Sequence, residues 1–304
     1  MDKKIMSFDE FTQEIVANIK DHLPVSFSNA EIQLSEVTKN NDVTLTGITI
    51  RDLDSNISPT IYLNQYYKKY MDGADMEYIL SEIADVRVKH EVKESIDISC
   101  ITDFNLVRDK IVPRLSSLEW NAELLKDKPH TDIADLAVTY HIIFSKNEAG
   151  VMSVPITHKL METWCIDLHT LHELAVKNMT VISPSKFQSL SSMLAGLLPG
   201  FNVHDENVDP ETDDMLYVIT SDSKVNGAAN ILDPVLMSAV LDRFNDFYLI
   251  PSSIHEWLLV PANGVNPSIL TSMVCDVNAS EVSPGERLSS HVYRYTREDG
   301  LIAA

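Results

Sequence analysis

Apolar and polar residues alternate along the chain with two periods, about 3.6 residues and about 2 residues, which are typical of amphipathic helices and half-buried strands. Ser7 and Glu10 have the spacing of a capping box, and apolar residues follow them at helical spacing as far as Pro24. An amphipathic helix over residues 7–22 is therefore predicted at the start of the chain.

Strict alternation of apolar and polar positions then predicts a β-hairpin. Residues 32–37 and 43–50 both alternate in this way, and the Asn40-Asn41-Asp42 joint between them tolerates the positive φ angles of a hairpin turn. Residues 59–63 predict a third strand. The tyrosine-rich stretch of residues 62–70 is interpreted as packing rather than as a ligand platform.

Two further helices are predicted before the pattern changes near residue 126. Residues 75–92 carry apolar residues at helical spacing, and residues 103–118 predict a helix that is interrupted at Pro113. The segment Lys126-Asp127-Lys128-Pro129 is charged and contains a proline, so it is the predicted domain boundary.

The predicted fold class is α+β, with mixed and largely antiparallel sheets flanked by helices in a two-part architecture. The first part, residues 1–128, is predicted to contain a helix, the β-hairpin and further helices; the second, residues 129–304, is predicted to be a larger α+β domain. The elements of the second part are predicted as strands over residues 136–145 and 151–156, helices over residues 157–164 and 167–182, an acidic loop over residues 199–214, a helix over residues 266–277 and a closing strand over residues 288–296.

The segment from Thr220 to Pro261 contains several predicted elements joined by short connections. We interpret it as the segment around which the chain is organised. The helical pattern of residues 227–244 predicts either one helix or a helix that starts afresh at Asp233 with Pro234 in its first turn. Strands are predicted over residues 216–219, 247–250 and 257–260.

The formal net charge is −21, from 45 acidic and 24 basic residues, so the mean surface potential repels phosphate and anionic lipid. Nucleic acid and membrane surfaces are therefore not predicted as partners, which leaves a protein or a small molecule. The first residues lack an apolar core of signal-peptide length, and no window approaches the ~18 apolar residues of a membrane span. The predicted location is the cytoplasm.

The cysteines and histidines do not form a recognisable metal motif. Cys100, Cys165 and Cys275 are widely spaced and lack a CxxC pair, so neither a disulfide framework nor a zinc knuckle is predicted. His169 and His172 share a helix face, but their spacing is not that of the metalloprotease helix motif. No metal and no cofactor are predicted.

Ser253, His255 and Glu256 supply the residue types of an acyl-transfer triad within a few positions. On a strand, Ser253 and His255 share one face while Glu256 points to the other, so the three neighbours cannot form the relay among themselves. The nucleophile-elbow pattern of glycines around the serine is also absent. These residues are candidates for catalysis, against the simpler interpretation that they satisfy backbone groups at the end of a strand.

Lys224, Asn226 and Gly227 lie where a strand gives way to a helix, and free backbone N–H groups at such a place can hold an anion. The spacing is neither that of a P-loop nor that of a dinucleotide-binding glycine triplet. These three residues are candidates for ligand binding. The simpler interpretation is helix capping with close backbone packing.

Five segments spread along the chain carry a family resemblance: KIVPRL, HTDIADLAVTYHI, SKVNGAANILD, IPSSIHEWLLVP and LSSHVYRY. Together they resemble a domain-of-unknown-function family of anaerobic Gram-positive bacteria over almost the whole chain. Residues 130–280, with Trp164 and the segment from Ala175 to Met179, more weakly resemble a second uncharacterised bacterial family. Neither resemblance implies an activity, a cofactor or site residues.

The sequence favours a non-catalytic cytosolic binding or regulatory protein, because no catalytic motif is complete. The alternative is a hydrolase-like enzyme centred on Ser253 and His255. A pocket in which Ser253, His255 and an acidic residue converge would distinguish the second function from the first.

Overall fold

A computed structural model describes residues 5–52, 58–91, 98–147, 150–197 and 216–304. The chain divides into two compact units: unit 1 is Met1–Lys39 with Val43–Ile98, and unit 2 is Asn40–Asp42 with Ser99–Ala304. Antiparallel sheets and helices occur in both, so the predicted α+β class is confirmed.

In its described residues, unit 1 combines a three-stranded antiparallel sheet with three α-helices. Its elements are α1 (Phe8–Asn18), β1 (Glu31–Thr38), β2 (Thr44–Arg51), β3 (Thr60–Tyr62), α2 (Asn64–Met71) and α3 (Met76–Lys89). Both bonds of the predicted capping box form, because Ser7 Oγ accepts from Glu10 N and Ser7 N donates to the Glu10 carboxylate. Asn41 and Asp42 adopt φ angles of 62° and 49°, as the predicted hairpin turn requires.

Over the part of unit 2 that the structure describes, there are two further antiparallel sheets with helices. Its elements are α4 (Phe104–Val107), β4 (Ile111–Ser117), β5 (His130–Ile133), β6 (Leu136–Asn147), β7 (Gly150–Pro155), α5 (His158–Trp164), α6 (Leu168–Ile182), β8 (Ser185–Ser189), α7 (Leu190–Leu197), β9 (Tyr217–Ser221), α8 (Pro234–Phe244), β10 (Phe247–Ser253), β11 (Glu256–Pro261), α9 (Pro267–Ser280), β12 (Tyr293–Thr296) and β13 (Gly300–Ala303). One sheet has the strand order β13-β12-β10-β11-β9-β8. The other has the order β4-β6-β5, with β7 also paired to β6.

The helix predicted over residues 103–118 is wrong. A short helix, α4, is followed by β4, which pairs antiparallel with β6 and contains Pro113 opposite Tyr140. Tyr140 O accepts from Ile156 N on the other side of β6, so the backbone groups of Tyr140 point away from β4 and Pro113 leaves no ladder bond unmade. Among the described strands β4 is also an edge, the place where a sheet accepts proline.

The pairing of β4 with β6 joins residues on the two sides of the predicted domain boundary. Residues 99–128 belong to the same compact unit as residues 129–304, and the two units divide between Ile98 and Ser99. The division predicted after Lys128 stays a prediction about domains, and it falls inside unit 2.

The helical pattern of residues 227–244 follows the second predicted alternative, in which a helix starts afresh at Asp233. A 3-10 turn over Gly227–Leu232 precedes α8, whose N-cap Asp233 accepts from Val235 N and Leu236 N and whose first residue is Pro234. The restart also changes the buried face: Val235 is 77% exposed, while Met237, Val240 and Leu241 are buried.

Helix α9 lies where the sequence predicts a helix, at Pro267–Ser280. Its apolar residues Ile269, Met273 and Val277 are nevertheless exposed, while Val274 and Asn278 are buried. The acidic loop predicted over residues 199–214 lies outside the described residues. None of the helices that the structure describes is long and apolar enough to cross a membrane.

Candidate functional site

His255 lies at the turn between β10 and β11, where the organising segment folds back on itself. Its Nδ1 accepts a hydrogen bond from Asn226 N at 3.0 Å, and its carbonyl oxygen accepts from Thr220 Oγ1 at 2.8 Å. Because Nδ1 accepts an N–H, it carries no proton, and the proton of the neutral ring is on Nε2. That nitrogen lies 3.5 Å from Glu286 Oε1.

The serines beside His255 form hydrogen bonds with groups other than its imidazole ring. Ser253 Oγ accepts from His255 N at 3.0 Å, and Ser252 Oγ donates to Glu256 Oε1 at 3.1 Å. A serine hydrolase needs the histidine ring to take the serine proton while a carboxylate orients the ring. In the observed arrangement, Ser253 stabilises the turn and Glu256 bonds to Ser252, so the three candidate residues lie close together without forming that relay.

In and beside the turn that contains Lys224, Asn226 and Gly227, four backbone N–H groups donate hydrogen bonds to acceptors within the protein. Lys224 and Asn226 have positive φ angles, 57° and 52°. The N–H groups of Lys224, Val225, Asn226 and Ala228 donate to Ser221 O, Ser221 Oγ, His255 Nδ1 and Ile254 O, respectively. These four donors are therefore already paired, and the turn supports close packing better than backbone capture of an anion.

We expect His255→Ala to lower the free energy of unfolding by about 1 to 3 kcal/mol, because Asn226 N would lose its acceptor. His255→Asn is the matched control, since an amide oxygen can occupy the position of Nδ1 and should restore much of the loss. Urea unfolding of the three proteins measures the difference. Equal stability of the alanine and wild-type proteins would contradict the structural role of the ring.

A small cavity of about 30 Å³ lies in unit 2 next to this turn. Its lining residues come from β4, β6, β7, α6 and the segment 223–230: they are Val112, Pro113, Arg114, Ile143, Lys146, Val151, Met179, Ile182, Ser183, Ser223, Val225, Asn226, Ala229 and Asn230. We call this space the Arg114 cavity. It includes one candidate residue, Asn226, and none of Ser253, His255 and Glu256.

Arg114 is a partly buried cation without a carboxylate partner among the described residues. Its Nη2 donates to Ser153 Oγ at 2.6 Å, which is a neutral acceptor. Burial lowers the pKa of the Arg114 guanidinium to about 10, so the group stays charged at neutral pH. A partly desolvated positive charge that the described protein does not neutralise favours a negatively charged ligand.

Other polar atoms on the same face of the sheet also lack partners. Val112, Arg114 and Ser116 share one face of β4, and His141, opposite Val112 on β6, lies on that face too. Ser116 Oγ and His141 Nδ1 are buried and make no hydrogen bond among the described residues. Burial, followed by the charges of Arg114 and Lys128, holds the pKa of His141 well below its usual value, so this ring is neutral.

The remaining polar groups of the cavity are largely paired. Lys146 Nζ donates to Asp222 Oδ1 at 2.7 Å and to Ile182 O at 3.2 Å. Asn230 Nδ2 donates to Ser183 O and to Ser185 Oγ. Arg114 is therefore the one cation lining this cavity that has no acidic partner among the described residues.

Sequence reasoning missed Arg114 because the surrounding residues were predicted to be helical. Residues 111–117 are all buried except Arg114, and a short buried run of this kind is not distinguished from a buried helix by periodicity. Pro113 does not separate the two, since proline inside a helical pattern and proline in an edge strand look alike in sequence.

The histidines of α6 point to different partners. His169 Nε2 lies 3.4 Å from the Glu173 carboxylate on the exposed surface, whereas His172 Nδ1 lies 3.0 Å from the buried hydroxyl of Tyr140. Burial, and then the charge of His169, lowers the pKa of His172. Over the described residues, no three His, Cys, Asp or Glu side chains come together in a way that could hold a metal ion.

A second polar cluster connects two of the segments that carry the family resemblance. Asp135 Oδ1 accepts from the buried Tyr293 hydroxyl at 2.6 Å, and Asp135 Oδ2 lies 3.2 Å from His291 Nε2. Burial, and then the hydrogen bond to Asp135, raises the pKa of Tyr293. The hydroxyl therefore stays protonated and acts as a donor that ties β12 to the start of β6.

The comparison with known families agrees with the resemblance seen in the sequence. A model of a family of unknown function, DUF5688, matches residues 8–297. No curated protein matches the chain, and no solved structure does. The source organisms of the resembling family and the likeness to a second family stay predictions. Because the match covers nearly the whole chain, this protein belongs to the DUF5688 family of unknown function.

Proposed function

We propose that this protein is a non-catalytic binding protein whose ligand is a small molecule with an anionic group that binds at the mouth of the Arg114 cavity. The observation that carries the proposal is Arg114 itself, a cation in a cavity with a neutral partner and no carboxylate among the described residues. Hydrogen bonds between a guanidinium and an anion are among the strongest that a protein makes. A ligand anion would supply the charge that the described protein does not.

The composition of the cavity supports binding rather than catalysis. Its described lining residues include no Asp, Glu, His or Cys, which are the usual general acids, bases and strong nucleophiles. Ligand pockets in general are lined mainly by apolar side chains with a few polar groups, as here. The hydrolase centred on Ser253 and His255 remains the alternative, and hydrolysis of simple esters that disappears in a Ser253→Ala variant would favour it.

Arg114→Met tests the proposal because it keeps the length of the side chain and removes its charge. We expect the affinity for a small anion that the wild-type protein binds to fall by about tenfold to a hundredfold, the effect of a lost charged hydrogen bond. We also expect the melting temperature without ligand to be unchanged or higher, because an uncompensated, partly buried charge is removed.

The measurement is isothermal titration calorimetry with acetate, hexanoate, benzoate and inorganic phosphate, beside a thermal melt of each protein. Arg108→Met is the control, since Arg108 is exposed and lies 3.6 Å from Asp109. Failure of the wild-type protein to bind any of these anions at millimolar concentration, or equal binding by Arg114→Met, would contradict the proposal.

We further propose that the protein works in the bacterial cytoplasm and has a regulatory role through the bound molecule. The wide spacing of Cys100, Cys165 and Cys275 in the sequence, without a CxxC pair, supports a reducing compartment. Cell fractionation of a host that expresses the protein would test the location.

A further inference from the structure

We propose that the outer edge of strand β1, in unit 1, is a docking site for an extended segment of a partner protein. The segment adds to the sheet as an antiparallel strand whose first residue is basic. This site goes beyond the anion binding proposed above, because it lies in unit 1 and involves none of the residues that line the Arg114 cavity. Three properties of the edge support the inference: its backbone, its apolar residues and its charge.

Strand β1 is open to pairing on one side. Among the described strands β2 is its one neighbour, so the other side of β1 is an edge of the sheet. The pairing with β2 runs from Glu31 to Thr38 without a register shift, and β1 contains no proline. Bulges, prolines and very short strands are the usual protection of an exposed edge. Because β1 has none of them, it can accept a further strand.

The backbone groups that face this edge belong to Ile32, Leu34 and Glu36. Thr46 lies opposite Glu36 on β2, and its carbonyl oxygen accepts from Leu63 N at 2.9 Å, on the side away from β1. Residues of an antiparallel pair alternate between bonding to each other and pointing away, so Glu36, Leu34 and Ile32 direct their N–H and C=O groups outward. These groups make no hydrogen bond to any described residue. A partner strand would supply the missing bonds.

The apolar residues beside this edge are only partly covered. Ile48 and Ile50 of β2 are 0% exposed, whereas Leu34 and Ile32, opposite them on β1, lie at the margin of the same core and are partly buried. Val16 of α1 is partly buried there too. A strand paired with β1 would place its side chains beside those of Leu34 and Ile32. Apolar residues at these two positions would complete the cover of the core.

An open groove of about 890 Å³ lies along the edge. Ile32 and Gln33 both line it, although adjacent residues of a strand point to opposite faces, so the groove surrounds the edge rather than one face of the sheet. Val16 and Lys20 line it from the helical side. An extended peptide, with side chains on both sides of its backbone, suits a groove of this form.

The charges along the edge select the ends of the partner strand. Glu31 and Arg51 pair with each other. Glu36 and Lys20 are exposed, and neither forms an ion pair within the described part of the chain. An antiparallel strand that begins opposite Glu36 ends beside Ala30, where Lys20 also lines the groove. A basic first residue and an acidic last residue therefore complement both ends of the site.

A second copy of the chain fits this edge less well than a partner protein. Antiparallel pairing of two β1 strands with Leu34 opposite Leu34 would set each Glu36 opposite Ile32, so that a charged residue would meet an apolar one. It would also bring together two chains that each have a formal net charge of −21. The complementary occupant is therefore a segment with a different sequence.

A labelled, end-capped peptide with the sequence Lys-Thr-Val-Thr-Val-Thr-Glu tests the proposal by fluorescence anisotropy with the full chain. Its lysine would lie opposite Glu36 and its valines opposite Leu34 and Ile32. We expect saturable binding. Methylation of the amide nitrogen of the first valine should weaken binding at least about tenfold, because that nitrogen would donate to the edge. Methylation of the threonine between the valines is the matched control, since its nitrogen would point away from β1.

Glu36→Lys tests the charge from the side of the protein. We expect this variant to bind the peptide about twofold to fivefold more weakly, the effect of one exposed ion pair, and to prefer a peptide whose first residue is glutamate. Glu298→Lys changes the net charge equally at an exposed position of unit 2 and should leave the preference for lysine intact.

Each contrary result identifies what is wrong. Absence of saturable binding at millimolar peptide would overturn the docking site and would leave anion binding at the Arg114 cavity untouched. Equal binding of the two methylated peptides would overturn strand addition. A dimer in sedimentation velocity that the peptide dissociates would show that a second copy, and not a partner protein, occupies the edge.

Discussion

Replacing Trp257 with alanine is expected to lower the free energy of unfolding by about 3 to 5 kcal/mol, the usual cost of removing a large buried aromatic side chain. Trp257 is 0% exposed in the middle of the six-stranded sheet, and its ring meets that of Tyr293 edge to face at 5.4 Å. Its Nε1 also donates to Ala228 O at 2.8 Å. The substitution therefore removes packing, an aromatic pair and the partner of a buried carbonyl group.

A thermal melt should show the loss directly, as a fall in melting temperature of about 6 °C or more for a chain of this size. Val235→Ala is the control, since Val235 lies on α8 with 77% of its surface exposed and should change stability by less than about 0.5 kcal/mol. A Trp257→Ala protein that melts with the wild type would refute the buried position of β11.

Gly227→Ala is expected to destabilise the protein by about 3 kcal/mol or more, although it adds only one methyl group. A Cβ at this position would lie 2.5 Å from Thr220 Oγ1 and 2.6 Å from the His255 carbonyl oxygen, and against the Ser221 backbone nitrogen. Backbone atoms of a strand and a tight turn cannot move apart without breaking their own hydrogen bonds. The methyl group must therefore displace the turn. The same turn contains Asn226, which lines the Arg114 cavity.

Gly285→Ala is the matched control, because a Cβ there would meet only the Asn40 carbonyl oxygen, at 3.8 Å. Urea unfolding of both variants gives the difference in stability. If Gly227→Ala is as stable as Gly285→Ala, the close approach of the turn to β9 and to His255 is not a feature of the folded protein.

The sequence by itself determined the elements whose interactions are local. The capping box at Ser7 and Glu10 joins residues three positions apart, and Asn41 and Asp42 supply the positive φ angles of their own turn. The start of α8 at Asp233 follows from a proline that cannot sit inside a helix and from an aspartate that accepts the first free N–H groups. Such signals need no knowledge of the rest of the chain.

The faces of the helices were determined less well, because periodicity shows that one side is apolar but not what lies against it. In α9 the apolar residues Ile269, Met273 and Val277 remain exposed, whereas Asn278 is buried and donates to Ser289 O at 2.8 Å. The polar residue is accommodated because a distant carbonyl group is within reach. Spacing along one helix contains no information about that carbonyl.

Only the tertiary structure decided the strand at Pro113 and the candidate site. Pro113 is tolerated because its neighbour across the sheet, Tyr140, directs its backbone bonds elsewhere, which is a property of the sheet and not of residues 111–117. The pairing of Asn226 N with His255 Nδ1 joins residues 29 positions apart. Arg114 has no acidic partner among the described residues, and this depends on which carboxylates the fold brings near it in a sequence with 45 acidic residues. Local chemistry therefore determines where helices and turns begin, whereas the partners of buried polar groups are set by contacts between distant residues, and the candidate site consists of such contacts.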